Sequence, residues 1–231
     1  GVQPVSSHEF AVELSFADHD PITRKLFLGM AVAGFNLQVN SQAIVTGTAT
    51  FLGRRAKFST GENAGSGQGD LYASGLVINR REAPQFEVYN STANVGRIGI
   101  GADPVAFDGL NAILDGTIEL TRNLRENNAV GFDGAASIGR GEVGVTGTLN
   151  TYFDSGQLAL DVLANEAKSF DLTFRGQDGR AVTYDVPRFK YTGGAPAIPA
   201  KNQDVTLQLP YQGLLSKFGY TVKVTRYPFV E

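Results

Sequence analysis

Hydrophobic and polar residues alternate with a period of two along much of the chain. The alternation is clearest in five segments, at residues 35–39, 170–174, 182–186, 205–209 and 220–224. Alternation places one set of side chains on one face of an extended strand, so these segments are predicted to be half-buried antiparallel strands. Six less regular segments are further strand candidates: residues 9–16, 45–52, 71–79, 86–89, 117–121 and 143–153.

Turn signals separate these segments, and one segment has a helical pattern. Asp178-Gly179 lies between two clean strands and predicts a hairpin turn. Residues 157–164 carry Leu160 and Leu163 at helical spacing, so a short helix is predicted there, with a strand as the alternative because alternate residues are also apolar. Short strands with frequent turns predict an all-β sandwich or barrel with one short helix.

Two stretches between the strands are rich in turn residues. Residues 192–200 contain two prolines and predict a stiff loop. Residues 59–70 contain four glycines and no large apolar residue, so they predict a long loop that is either mobile or functional. If this loop orders against a neighbouring molecule, the polar side chains available for contact are those of Thr60, Glu62, Asn63, Ser66, Gln68 and Asp70.

Composition narrows the chemistry open to the chain. The 231 residues include no cysteine and two histidines, which excludes disulfide scaffolds, cysteine-ligated zinc and thiol nucleophiles. No Gly-x-Ser-x-Gly motif marks a serine nucleophile, so no catalytic residue, metal or cofactor is predicted. A formal net charge of -3 argues against a protein that grips phosphate backbones. The longest apolar stretch is about half of the roughly twenty residues that a membrane span needs.

An internal repeat suggests two related halves. Val-Thr-Gly-Thr occurs at residues 45–48 and again at 145–148, and loosely matching sequences precede both copies at residues 31–36 and 128–133. Coincidence is the alternative, because the repeated residues are common in strands. A duplication would divide the chain into β domains at residues 1–100 and 101–231. The first copy would then be incomplete at its N-terminus, and sequence needed for assembly could be missing.

Four phrases of the chain resemble the tail tube protein family of long-tailed phages, and together they cover nearly the whole sequence. Their order and spacing carry the resemblance more than any single motif. The phrases are GMAVAGFNLQVN at residues 29–40 with AIVTGTATFLG at 43–53, NNAVGFDG at 127–134 with VTGTLNTYF at 145–153, residues 169–189, and residues 201–226.

The resemblance implies a fold and a function. Tail tube subunits have a β-sandwich or half-barrel with one short helix and a long protruding loop or hairpin. They self-assemble into stacked rings that form the conduit for DNA ejection. The loop at residues 59–70 is accordingly predicted to contact the adjacent ring. The chain is thus expected in the virion tail, made in the host cytoplasm, with other tail proteins as partners and no membrane contact. Rings of this family are usually sixfold, and a duplicated subunit could close the same ring as a trimer.

Two other functions remain open from sequence alone. Another tail protein of the same fold, such as a tail terminator or a baseplate component, would share these patterns. A β-sandwich carbohydrate-binding module is the alternative from a different class. The absence of tryptophan weighs against an aromatic binding platform, and eight tyrosines keep it open.

Overall fold

The computed structural model describes residues 9–16, 18–19, 23–60, 88–102, 113–153, 157–176, 179–197, 201 and 203–227. Within these residues the fold is almost entirely antiparallel β-structure with one short helix. In chain order the elements are β1 (Phe10–Phe16), β2 (Thr23–Asn40), β3 (Thr46–Leu52), β4 (Arg55–Thr60), β5 (Val95–Ala102), β6 (Ile113–Arg122), β7 (Arg125–Asn128), β8 (Ala135–Gly139), β9 (Val143–Tyr152), α1 (Gln157–Ala164), β10 (Lys168–Arg175), β11 (Ala181–Tyr191), β12 (Ala195–Ala197), β13 (Thr206–Gly213) and β14 (Lys223–Tyr227).

Most strands belong to one sheet that folds back on itself as a sandwich. One layer has the order β3-β2-β6-β9-β13, and the other has β14 and β10 on either side of β11, followed by β5. The layers are continuous where β13 pairs with the end of β11. Ring contacts span the interior, with the Phe170 and Tyr211 rings 6.1 Å apart and the Phe35 and Tyr184 rings 6.3 Å apart.

The alternation seen in the sequence explains the sandwich core. On β10, Phe170, Leu172 and Phe174 are buried and point inward, while Asp171 and Thr173 lie on the opposite face. Leu207 and Leu209 of β13 follow the same rule. Each buried aliphatic or aromatic side chain stabilises the fold by about 1.5–3 kcal/mol relative to exposure.

Strand β2 is long enough to belong to two structures. Its 18 residues span roughly 60 Å at about 3.3 Å per residue. Residues 34–40 pair with β6 in the sandwich, whereas residues 23–28 pair with β1 on one side and β4 on the other. A bulge separates the two parts, where Gly29 adopts a φ of 61° that favours glycine. The three-stranded sheet of β1, β4 and residues 23–30 is called the arm below.

The predicted elements agree with the structure in most places. The alternating segments at 35–39, 170–174 and 182–186 are strands, and the predicted helix at 157–164 is α1. Of the predicted Asp178-Gly179 turn, Gly179 lies between β10 and β11, which pair as a hairpin, and has a φ of 80°. Asp178 lies outside the described residues. The all-β fold class with one short helix is therefore confirmed.

Three predicted boundaries were wrong. β14 begins at Lys223 and not at Tyr220, because Ser216 forms a turn by donating from its hydroxyl to the Tyr220 carbonyl at 2.7 Å. The predicted loop at 192–200 contains β12, which pairs with β13. The predicted loop at 59–70 starts too early, because residues 59 and 60 belong to β4 and pair with β2. The candidate strand at 71–79 lies outside the described residues.

The two copies of the internal repeat have different surroundings. The first lies at the start of β3 on a sheet edge, and the second lies in the central strand β9. Upstream, residues 31–36 are extended within β2, whereas residues 128–133 lead through the turn between β7 and β8. The β2–β6 and β5–β10 pairs join residues on either side of position 100. The division into two duplicated domains stays a prediction.

Candidate assembly surfaces

The arm presents apolar side chains on one face. Cross-strand register places Leu14 of β1 and Phe58 of β4 on either side of Lys25 in β2. Phe58 is 63% exposed, and Leu14 and Phe16 are exposed as well. The Lys25 ammonium lies 4.6 Å from the ring centre of Phe27 and 4.9 Å from that of Phe58. A cation held over two rings keeps this face partly polar while leaving its apolar area accessible.

The opposite face of the arm is closed. Leu26 has no exposed surface, and the Arg24 guanidinium lies 3.7 Å from a carboxylate oxygen of Glu13. Alternation along β2 therefore sends Leu26 to a covered face and its neighbours Lys25 and Phe27 to an accessible one. A sheet of which only one face is covered presents the other for contact.

A second hairpin lies against the arm. Strands β7 and β8 form a separate two-stranded sheet, and the turn between them carries Val130, Gly131 and Phe132. Val130 is fully exposed and Phe132 is 60% exposed. The turn needs glycine at Gly131 and Gly134, whose φ angles are 87° and 97°. The segment from Val130 to Phe132 is called the tip below.

Arg54 anchors the start of β8, three residues after the tip. Its Nε donates to the Ala135 carbonyl at 3.3 Å, and its Nη2 donates to the Ala136 carbonyl. The Ala135 amide donates to the Arg54 carbonyl at 3.0 Å, and the Arg54 guanidinium lies 3.9 Å from the Glu9 carboxylate. A groove of ≈ 570 Å³ lies between the tip and the arm, with Phe10 and Phe132 among its lining residues. The tip therefore projects from a hairpin that is anchored beside the arm.

Strand β3 is an exposed sheet edge. Within the described residues it pairs with β2 alone, and its residues from Thr46 to Phe51 are exposed. Thr46, Thr48 and Thr50 alternate with Gly47, Ala49 and Phe51 along the strand. An unpaired edge presents backbone donors and acceptors that another strand can pair with.

The end of the sandwich farthest from the arm has its own opening. A cavity of ≈ 350 Å³ lies there between the two layers. Val39, Val95 and Ile98 line its interior. The polar side chains at this cavity are those of Ser41, Gln42, Ser91, Thr92 and Asp115.

One charged cluster lies on the face of the β10–β11 layer that points away from the core. Asp171 and Asp185 are direct neighbours in the β10–β11 ladder. The Asp171 Oδ2 lies 3.3 Å from Arg97 Nε, while its Oδ1 is buried without a hydrogen-bond partner. Burial raises the pKa of Asp171, which Arg97 partly offsets and Asp185 raises further. Burial also raises the pKa of Asp185, against the effect of Lys223.

Of the six loop residues predicted for contact, Thr60 is at the end of β4, opposite Thr23. The other five, Glu62, Asn63, Ser66, Gln68 and Asp70, lie outside the described residues, so that prediction stays open. Sequence reasoning missed β4 and the accessible face of the arm. The alternation of Ala56 and Phe58 with Arg55 and Lys57 is the signal that could have indicated both.

The described residues contain neither a metal-binding cluster nor a helix that could cross a membrane. No three histidine or acidic side chains come close enough there to hold a metal ion, and His19 stacks on Phe16 with ring centres 5.4 Å apart. In the same part of the chain, no helix has the length and apolar character needed to cross a membrane.

Comparison with known proteins identifies the family. A family model described as phage tail tube protein matches residues 3–213. No curated protein matches the sequence significantly. Among solved structures, the tail of an empty gene transfer agent particle is similar, with a TM-score of 0.43 and 13% identity over 59% of this chain and 98% of that chain. A native gene transfer agent virion has a TM-score of 0.39 and 14% identity over 55% of this chain and 95% of that chain. Because the family model matches most of its residues, this chain belongs to the phage tail tube protein family and is a structural protein of the tail tube.

Proposed function

We propose that copies of this chain join through their sheet edges into closed rings, and that the rings stack into the hollow conduit for DNA ejection. The exposed edge of β3 is the observation that carries the proposal, because every residue from Thr46 to Phe51 is accessible. An edge of this kind is an aggregation hazard in a lone chain. Pairing with the next subunit around a ring removes the hazard and closes the wall of the tube.

In this proposal the chain has a structural role in the tube and does not catalyse a reaction. The subunit acts through contacts between copies and with other tail proteins, and it resides in the virion after synthesis in the host cytoplasm. DNA passes through without specific binding. The net charge of -3 supports this, since phosphates adhere to surfaces rich in lysine and arginine.

The ring contains either six chains or three. Six is expected for a single-domain subunit, and three for a subunit that contains two copies of the tube domain. The Val-Thr-Gly-Thr repeat, spaced at 100 residues, favours three. Counting subunits in end-on electron micrographs of rings distinguishes the two.

Ring closure is tested by introducing a charged side chain at the edge strand β3. Thr48→Lys places a cation on the edge, and Thr48→Val is the matched control that retains a β-branched side chain. Because Thr48 is exposed, both variants are expected to fold. We expect the wild-type chain and Thr48→Val to form rings by negative-stain electron microscopy, and Thr48→Lys to stay monomeric. Rings of normal yield from Thr48→Lys would contradict the role of β3.

A further inference from the structure

The tip presents apolar side chains that the chain itself does not cover. Val130 and Phe132 face solvent on either side of Gly131. Arg54 and the hydrogen bond from the Ala135 amide to the Arg54 carbonyl anchor the hairpin just after the tip. An anchored hairpin loses less conformational freedom on docking than a free loop does, which favours binding. The tip is therefore an apolar knob on an anchored hairpin.

The cavity between the sandwich layers is the matching hole. Val39 of β2, Val95 and Ile98 of β5 and Ile113 of β6 give it an apolar wall. Its volume of ≈ 350 Å³ is at the lower end of the range for binding pockets, so it suits one or two side chains. Thr92 at this cavity is exposed, so the opening is reachable from outside.

The knob and the hole lie at opposite ends of the subunit. The tip borders the groove beside Leu28 and Gly29, whereas the cavity borders Val39, which is ten residues further along the same strand. Ten residues of strand correspond to roughly 33 Å. A chain therefore cannot place its own tip in its own cavity. Two different surfaces that fit each other form a head-to-tail contact, which propagates from copy to copy.

The two ends of the subunit also carry opposite charges beside the tip and the cavity. Arg55 adjoins the tip and has no ion pair among the described residues. Asp115 lies at the cavity and accepts a hydrogen bond from the Asn150 amide at 2.6 Å. A second copy docked by its tip would bring a cation toward this carboxylate. Complementary charge at the edge of an apolar contact favours the correct orientation.

We propose that the tip of one subunit inserts into the cavity between the sandwich layers of a second copy in the adjacent ring. The proposal rests on the assembly of this chain into stacked rings and adds the contact that stacks them. Phe132 and Val130 of one copy pack against the apolar wall that Val39 and Ile98 of the second copy form. The tip then supplies the axial contact and the edge of β3 the contact around the ring.

Cysteine cross-linking tests the contact directly, because the natural chain contains no cysteine. The full-length Val130→Cys/Thr92→Cys variant places one thiol on the tip and one at the cavity, both at exposed positions. Oxidation under tube-forming conditions followed by non-reducing electrophoresis reads out the contact. We expect a ladder that extends beyond dimers, since each chain offers one tip and one cavity. The two single-cysteine variants are the controls and are expected to remain monomeric on the gel.

The outcomes separate this proposal from the proposed function. Tubes seen by electron microscopy without a ladder would overturn the tip–cavity contact and leave tube assembly intact. Dimers from Val130→Cys alone would also overturn it, because tips would then meet tips. Failure of the wild-type chain to form rings or tubes would contradict the proposed assembly. If the double-cysteine variant also gave no ladder, the tip–cavity contact would be contradicted as well.

A second variant pair gives an independent measurement. Phe132→Ser removes the apolar group from the tip, and Phe132→Leu retains one. We expect Phe132→Ser to form rings but to need a protein concentration roughly tenfold higher for tubes, which is the loss expected for one buried aromatic contact. Phe132→Leu is expected to stay near the wild type. Equal tube formation by both variants would contradict the proposal.

Discussion

The sandwich and the arm use the same sequence pattern with opposite results. In the sandwich, alternating strands lie in two layers, so the apolar sides of β10 and β13 meet and Phe170 and Leu209 are buried. In the arm, the accessible face has no second layer among the described residues, and Leu14 and Phe58 remain exposed. The pattern determines which side chains share a face. Whether that face is buried depends on what packs against it.

The difference indicates where stability and assembly are located. The sandwich contains nearly all of the buried apolar side chains, so it accounts for the folding of a single chain. The exposed apolar side chains of the arm and tip contribute little until another molecule covers them. Mutations in the two regions should therefore separate stability from assembly.

The largest expected effect contrasts two phenylalanines. Phe170→Ala removes a ring that is 2% exposed and leaves a cavity, so it should lower the free energy of unfolding by about 3–5 kcal/mol. Phe132→Ala makes the same chemical change at the tip and should alter it by less than about 0.5 kcal/mol. Urea denaturation of the monomer followed by circular dichroism measures both. Similar losses would mean that the tip belongs to the folding core.

A smaller effect tests a polar group inside the sandwich. The Tyr211 hydroxyl donates to the Thr117 carbonyl at 2.9 Å, and the side chain is buried. Tyr211→Phe removes this hydrogen bond and should lower the free energy of unfolding by about 1–2 kcal/mol. Tyr227→Phe on the exposed face of β14 is the control and should change it little. The same denaturation experiment applies, and equal shifts would show that the hydrogen bond does not contribute.

The sequence predicted the sandwich better than the arm for a physical reason. Residues 170–174 and 182–186 alternate strictly because each strand has one buried and one polar face. In the arm, the basic residues Arg55 and Lys57 alternate with Ala56 and Phe58, which suggests an exposed strand end more than a sheet. The local sequence gives no sign that β2 continues past the sandwich to pair with β4.

Contact surfaces are harder to predict than strands. Residues 128–133 belong to the sequence repeat, and in the structure they lead through a turn into β8, which is anchored by Arg54 from 81 positions earlier. Contacts between residues so far apart in the chain follow from tertiary pairing, which alternation does not encode. The cavity beside Val39 likewise exists only because β2, β5 and β6 end together at one end of the sandwich.

The link between the two regions can be weakened at Arg54. Arg54→Ala removes donation to the Ala135 and Ala136 carbonyls and should destabilise the hairpin of β7 and β8 by about 1 kcal/mol. The expected signature is faster hydrogen exchange at the Ala135 amide, with exchange in β10 unchanged. Arg54→Lys keeps the charge and loses the two-atom donor geometry, so it should behave like Arg54→Ala. Unchanged exchange in both variants would show that Arg54 does not anchor the hairpin.

The smallest expected effect is a change in pH dependence within the sandwich. Burial raises the pKa of Asp171, with Asp185 adding to the rise and Arg97 opposing it, so the folded state holds this proton to higher pH than the unfolded chain does. A raised folded pKa contributes stability that is present below the unfolded value, near 3.9, and is lost as pH rises through the folded value.

Asp171→Asn should therefore gain stability relative to the wild type as pH increases across that window. Asp185→Asn should change the slope in the same direction, because burial also raises the pKa of Asp185, against the lowering effect of Lys223. Denaturation midpoints measured from pH 4 to 7 test this, and parallel curves for the wild type and both variants would mean that the two carboxyls titrate alike in the folded and unfolded chains. Neither substitution lies in the arm, so tube formation at neutral pH should be retained. The stability of the sandwich would then change without any change in the surfaces that assemble the tube.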